Sequence, residues 1–219
     1  MKITDLSHVV HNHMPVYPGT EEPFIEHPFK LEACGYNEAR LRMVSHTGTH
    51  MDAPAHMLSH GLTLDRMPPG KFFGKGRILD VRGKNAIDSR FISYNIPDFA
   101  GIDFLLLFTG WSDHWGKESY FSGYPCLDRE AAEFLSTFTL KGIGIDAISF
   151  DKEESTEFTV HKILLEKEIL LIENLTNLEQ IGSQEFWLVC APLKFENSDG
   201  APTRVISIEG LMLQNSEVK

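Results

Sequence analysis

Residues 46–56 read His-Thr-Gly-Thr-His-Met-Asp-Ala-Pro-Ala-His. Three histidines and one aspartate therefore fall within eleven positions. Neutral imidazole and carboxylate are ligands that Zn²⁺, Mn²⁺ and Fe²⁺ accept, whereas Mg²⁺ and Ca²⁺ favour all-oxygen shells. The chemistry on offer is hydrolysis. A bound metal lowers the pKa of a water to about 7 and polarises a substrate carbonyl. So many titratable groups at close range are the mark of a catalytic site.

The spacing has a physical reading. His46 and His50 would share a face on a helix, but Gly48 and Pro54 break a regular helix through the segment. A turn followed by a short extended piece fits better. In an extended piece His50 and Asp52 point to the same side, because side chains alternate. Pro54 stiffens the exit, and His56 then curls back toward the same point. A lone histidine is ordinarily a surface or capping residue. Four groups in this pattern are more specific than that.

The motif His-x-Gly-Thr-His-x-Asp-x-Pro-x-His resembles the signature of the cyclase-like metal-dependent hydrolases. That family includes bacterial kynurenine formamidase and isatin hydrolase. The resemblance continues in Asp5-Leu6-Ser7, Pro15–Gly19, Gly144–Ala147, Ala191–Leu193 and Gly200–Arg204, all in the right order. His161 and the run Ile172-Glu173-Asn174-Leu175 resemble the family's second ligand region. By themselves His161 and Glu173 read as ordinary structural residues; the resemblance makes them metal ligands. It also implies a layered β/β/α "swivelling" fold, a homodimer or homotetramer, and an aromatic residue near the substrate, here Tyr17. Dedicated formamidases usually carry Trp at that place, followed by Gly-Asp, whereas this chain reads Tyr17-Pro18-Gly19-Thr20.

His46, His50, Asp52, His56, His161 and Glu173 are more ligands than one catalytic zinc needs, since three protein ligands and a water suffice. Two arrangements remain open. One metal on His46, His50 and Asp52 would leave His56 and Glu173 as acid and base. Alternatively two metals share a bridging carboxylate, Asp52 or Glu173. Family members with two zinc ions, and a manganese case in isatin hydrolase, favour two Zn²⁺ per chain with Mn²⁺ as the substitute. His56 is the candidate general acid for the leaving amine, because an imidazole titrates near neutral pH. The resemblance supports that role, and His56 also stands as a possible ligand.

Composition is compatible with this chemistry. The 219 residues suit one domain, and 42% hydrophobic content suffices for a sizeable core. A net charge of −11 disfavours nucleic-acid binding, which needs clustered Lys and Arg. Three widely spaced cysteines without C-x-x-C give neither a disulfide framework nor a zinc knuckle, so a reduced cytoplasm is the expected compartment. No signal peptide is apparent at the N-terminus, and no apolar run is long enough to span a membrane.

The positioning elements alternate between strands and helices, which predicts an α/β domain spanning residues 1–219 with a mixed sheet. Strands are expected over Ile3–Val10, Arg40–Ser45, Arg77–Val81, Phe104–Phe108, Gly142–Ile145, Ile169–Ile172, Phe186–Leu193 and Val205–Ile208. Helices are expected over Arg129–Ser136, capped by Asp128, and over Val160–Lys167. Trp111, His114 and Trp115 form an aromatic cluster that walls the pocket or a subunit interface, or belongs to the ordinary core, the last two being the more common uses of such residues. Gly70–Gly76 lacks the Ser/Thr and helix of a P-loop, and no G-x-S-x-G elbow occurs. The expected activity is hydrolysis of an amide or cyclic amide of a small molecule. N-formylkynurenine is the most concrete substrate, and isatin-like ring opening is the runner-up. A non-catalytic metal- and ligand-binding module is the alternative of a different kind.

Overall fold

The structure is a computed structural model that describes residues 1–211, so the last eight residues of the expected domain lie outside the described residues. The strands are β1 (Lys2–Asp5), β2 (Phe24–Phe29), β3 (Glu38–Arg42), β4 (His50–Asp52), β5 (Phe73–Asp80) and β6 (Ala86–Ile87). They continue with β7 (Phe104–Phe108), β8 (Cys126–Leu127), β9 (Gly142–Ile145), β10 (Leu170–Glu173), β11 (Glu185–Pro192) and β12 (Gly200–Glu209). The helices are α1 (Leu31–Cys34), α2 (Ser89–Asn95), α3 (Arg129–Leu135) and α4 (Thr159–Glu166).

The main sheet runs β1-β12-β11-β5-β7-β9-β10-β4. Strand β4 also pairs with β12, which closes seven strands into a ring. The α/β class and the mixed sheet are as expected. The pairings describe a closed barrel, however, and leave the layered "swivelling" description without support. The physical reason lies in β4. Its three residues bond β10 on one side and β12 on the other, so neither flanking strand is left as an edge.

Strand β7 shows how the ring is packed. Leu105 and Leu107 join a cluster with residues of α2, α3 and α4, while Phe104, Leu106 and Phe108 join Met51, Leu170, Ile172 and Val205. This two-residue alternation places one set inside the ring and the other beneath the helices. Each such side chain, fully buried, contributes about 1.5–3 kcal/mol. Strands β5, β7, β9 and β10 are mutually parallel. That accounts for apolar runs buried on both faces.

Local signals hold where expected. The Asp128 carboxylate accepts the Ala131 N–H at 2.7 Å and starts α3. Helix α4 buries Val160, Leu164 and Leu165. Two strands are shorter than expected. The first ends at Asp5, and only a Ser7–Leu175 bridge follows it. The third ends at Arg42, because residues 43–49 turn with Gly48 at φ 66°.

Candidate active site

Strand β4 builds one half of the site. Met51 faces the ring interior, so His50 and Asp52 project from the opposite face. Register sets their neighbours: Glu173 of β10 stands opposite His50, and Gly200 of β12 stands opposite Asp52. His50 Nε2 lies 3.4 Å from both Asp52 Oδ1 and Glu173 Oε2. Its other nitrogen, Nδ1, lies 2.8 Å from the Gly48 carbonyl. The Asn174 amide also donates to that carbonyl, and the Tyr120 hydroxyl donates to the Asn174 side chain at 2.6 Å.

Helix α4 supplies the other half. His161 Nε2 lies 3.2 Å from Glu173 Oε1 and 3.6 Å from Asp52 Oδ2. His161 Nδ1 lies 2.6 Å from Asp151 Oδ2. The two Asp151 oxygens also accept the backbone N–H groups of Val160 and His161. One carboxylate thus caps the first turn of α4 and fixes the imidazole it carries. Phe158, just before α4, adopts φ 48° to bring the chain round to this cap.

His46 and His56 complete the cluster from the turn and from the short helical turn at Pro54–His56. His46 Nδ1 is 2.7 Å from Asp52 Oδ1, and its Nε2 is 3.1 Å from Asp199 Oδ2. His56 Nδ1 is 3.6 Å from Asp199 Oδ2, and its ring lies 4.0 Å from that of His46. Gly200 makes room for this: a Cβ there would come within 2.3 Å of the His46 ring.

Three donor sets result, each with its ligand atoms within 4.8 Å of one another: His46, His50 and Asp52; Asp52, His161 and Glu173; and His46, His56 and Asp199. The donors fit zinc or manganese in type. They also fit in presentation. His50 and His161 each direct Nδ1 to an oxygen and Nε2 to the carboxylates, as metal-bound imidazoles do.

Electrostatics agree. Burial opposes the charged form of His50, but hydrogen bonds and charges of Asp52 and Glu173 outweigh it and push its pKa up to about 10. His161 is likewise opposed by burial and raised to about 10, by Asp151 and Glu173. Burial also opposes ionisation of Asp52, yet His46 and His50 hold its carboxyl well below the usual range. Buried carboxylates that stabilise protonated imidazoles in this way also favour a cation held among them. His56 differs, since burial depresses its pKa.

A cavity of about 300 Å³ opens onto these groups. Tyr17 lines it at 40% exposure, with Val16, Val44, Met57, Ile148 and Phe158 among the apolar walls. Trp111 and Trp115 pack against the core under α2–α4 and are not among the cavity's lining residues. Trp115 stacks on His8 at 3.8 Å between ring centroids, and the Trp111 indole donates to the Tyr120 carbonyl.

The cyclase family model, whose description is "Putative cyclase", matches residues 4–152. The chain belongs to the cyclase family. A relative described as kynurenine formamidase from Bacillus cereus is 30% identical over 204 residues, covering 92% of this chain and 95% of its own. A "predicted metal-dependent hydrolase" from Bacillus stearothermophilus superposes with TM-score 0.78 at 28% identity, covering 94% of this chain and 97% of its own. Isatin hydrolase A from Ralstonia solanacearum superposes with TM-score 0.84 at 22% identity, covering 94% and 91% respectively, and shares the fold.

In this cyclase-family chain all six expected ligands and Tyr17 reach one site. Sequence reasoning misses two contributors, Asp151 and Asp199. Asp151 sits in a polar run before α4, and Asp199 precedes β12 among other turn residues. The sole signal was proximity to elements already singled out, His161 for one and Gly200–Arg204 for the other.

Proposed function

We propose that this protein is a metal-dependent hydrolase of small-molecule amides, with N-formylkynurenine, cleaved to kynurenine and formate, as the most concrete substrate. One observation carries the reading. Asp52 turns Oδ1 toward His46 and His50 and Oδ2 toward His161, so a single carboxylate belongs to two donor sets. The kynurenine formamidase relatives at about 30% identity over most of the chain support it.

His46, His50 and Asp52 would hold one ion, and Asp52, His161 and Glu173 a second; two Zn²⁺ suit this set, with Mn²⁺ as substitute. Ions bound there supply Lewis acidity toward the amide oxygen and lower the pKa of a water. The chain does the rest. Asp151 and the Gly48 carbonyl orient the two inner imidazoles. His56, kept neutral by burial at neutral pH, is placed to take a proton and return it to the leaving amine. Asp199 faces His56 Nδ1 and can hold its ring. Tyr17 and the apolar walls shelter the ring of the substrate.

Opening of an aryl-fused cyclic amide is the second reading, supported by the same largely apolar cavity, which opens to solvent beside Tyr17. A non-catalytic module is disfavoured by the complete donor set. A homodimer or homotetramer is part of the proposal, supported by the β2–β3 hairpin, whose Phe24, Tyr36 and Leu41 are exposed. A cytoplasmic setting is supported by three free cysteines. No helix among the described residues is long and apolar enough to cross a membrane.

The test is elemental mass spectrometry on protein purified without chelator, followed by turnover of N-formylkynurenine. About two zinc or manganese ions per chain, with formate release, is the expected result. A protein that neither binds metal nor gains activity on reconstitution overturns the reading.

A further inference from the structure

Residues 111–121, which follow β7, lie outside the cavity lining but reach the donor cluster from behind. The start of this stretch is clamped. Asp146, fully buried just after β9, accepts the Thr109 N–H, the Thr109 hydroxyl and the Gly110 N–H at 2.6–2.8 Å. Its end is held as well. The Trp111 indole donates to the Tyr120 carbonyl at 2.9 Å, and the Trp115 and Tyr120 rings meet edge to face at 5.0 Å. Tyr120, with no exposed surface, thereby aims its hydroxyl at Asn174 Oδ1, 2.6 Å away. Asn174 is in turn committed through its backbone. Its N–H donates to the Ala147 carbonyl, its own carbonyl accepts the Thr49 hydroxyl at 2.6 Å, and its φ of 56° is a left-handed conformation that asparagine tolerates. Asn174 Nδ2 and His50 Nδ1 lie 2.9 and 2.8 Å from the same Gly48 carbonyl and 3.4 Å from each other, as two donors converging on one oxygen do. Half a turn of the amide would set Oδ1 against that carbonyl, two acceptors with no proton between them. The amide orientation therefore requires a donor at Oδ1, and Tyr120 supplies it.

We propose that Tyr120 and Asn174 are positioning residues for His50, and that the aromatic stretch after β7 serves to hold the Tyr120 hydroxyl in place. The contacts run from that hydroxyl to the Asn174 amide, to the Gly48 carbonyl, to His50 Nδ1. They fix the oxygen that holds the Nδ1 proton, and so keep Nε2 turned to Asp52 and Glu173. The inference rests on the metal-site reading of the same cluster and adds to it a residue, Tyr120, that lies outside the cavity. His161 is held separately by Asp151, so its ring is an internal reference for the effect on His50.

The test follows the Nδ1 protons of His50 and His161 by imidazole proton–nitrogen correlation NMR on the full chain carrying isotope-labelled histidine. Each proton is present whether its ring is cationic or bound to a metal through Nε2. In Tyr120→Phe the His50 proton should exchange with solvent at least about tenfold faster, and the His161 proton at an unchanged rate. After zinc loading, chelator competition should show about tenfold weaker binding of the ion held by His46 and His50, the low end of what loss of an outer hydrogen-bonding partner costs. Asn174→Gly keeps the left-handed backbone and should reproduce both effects, and adding Tyr120→Phe to it should change neither further. Unchanged exchange at His50, or equal acceleration at both histidines, overturns the proposal, even where the melting temperature falls. If the unmodified chain binds no zinc, the metal reading fails, and exchange of the His50 proton still decides whether Tyr120 positions that ring.

Discussion

Asp151 Oδ2 lies 2.6 Å from His161 Nδ1 and accepts the backbone N–H of the same residue at 3.0 Å. A single carboxylate thus fixes both the helix start and the ring orientation of a candidate ligand. Asp151→Asn keeps the size but weakens the hold on Nδ1. Loss of such an orienting group typically costs about 10–100-fold in metal affinity. Competition with a chromophoric chelator should show this loss for the ion held by His161 and Glu173. An unchanged affinity would show that Asp151 serves only as a helix cap.

Asp52 and Glu173 should fail differently. Asp52 belongs to two donor sets and Glu173 to one. Asp52→Asn should therefore remove both ions, whereas Glu173→Gln should leave the ion held by His46 and His50 more strongly retained. Metal content per chain after gel filtration separates the two outcomes. Equal loss in both variants would argue against separate donor sets.

Gly200 stands in contact distance of the His46 ring, so Gly200→Ala forces the imidazole to move. The residue lies in β12 opposite Asp52, and its backbone need not change. A misplacement of about 1 Å at a reacting centre can cost about 100-fold in rate. Steady-state kinetics should show a fall in kcat of that order, with thermal unfolding little altered. A large loss of stability with normal kcat in the folded fraction would show that the glycine serves packing alone.

The metal-free protein should have a distinctive pH dependence. His50 and His161 have pKa values raised to about 10, so their contribution to stability is complete below the unfolded value of about 6.5. It is lost as pH rises from there through about 10. Melting temperature of the metal-free chain should fall across that window, by roughly 2–4 °C for each kcal/mol lost. Metal binding at pH 7 must displace these protons, so loading should release protons and tighten with rising pH. A melting temperature that rises toward pH 10 would contradict the assignment.

Local sequence was sufficient for residues whose geometry comes from neighbours in the chain. The alternation of His50, Met51 and Asp52 puts two candidate ligands on one face of any extended backbone. Gly48 and Pro54 mark the turns on either side, and Asp128 caps its helix through an i to i+3 bond. The apolar runs Phe104–Phe108 and Gly142–Ile145 are strands with the expected bounds. Tertiary structure decided what depends on pairing between distant segments. Ring closure rests on β4 bonding both β10 and β12, and hydrogen-bonded register between residues more than a hundred apart leaves no pattern in either segment. The same pairing sets Glu173 against His50 and brings Asp199 to His46 and His56. Asp151 and Asp199 look like ordinary turn aspartates in the sequence, because an aspartate's role depends on what its carboxylate meets.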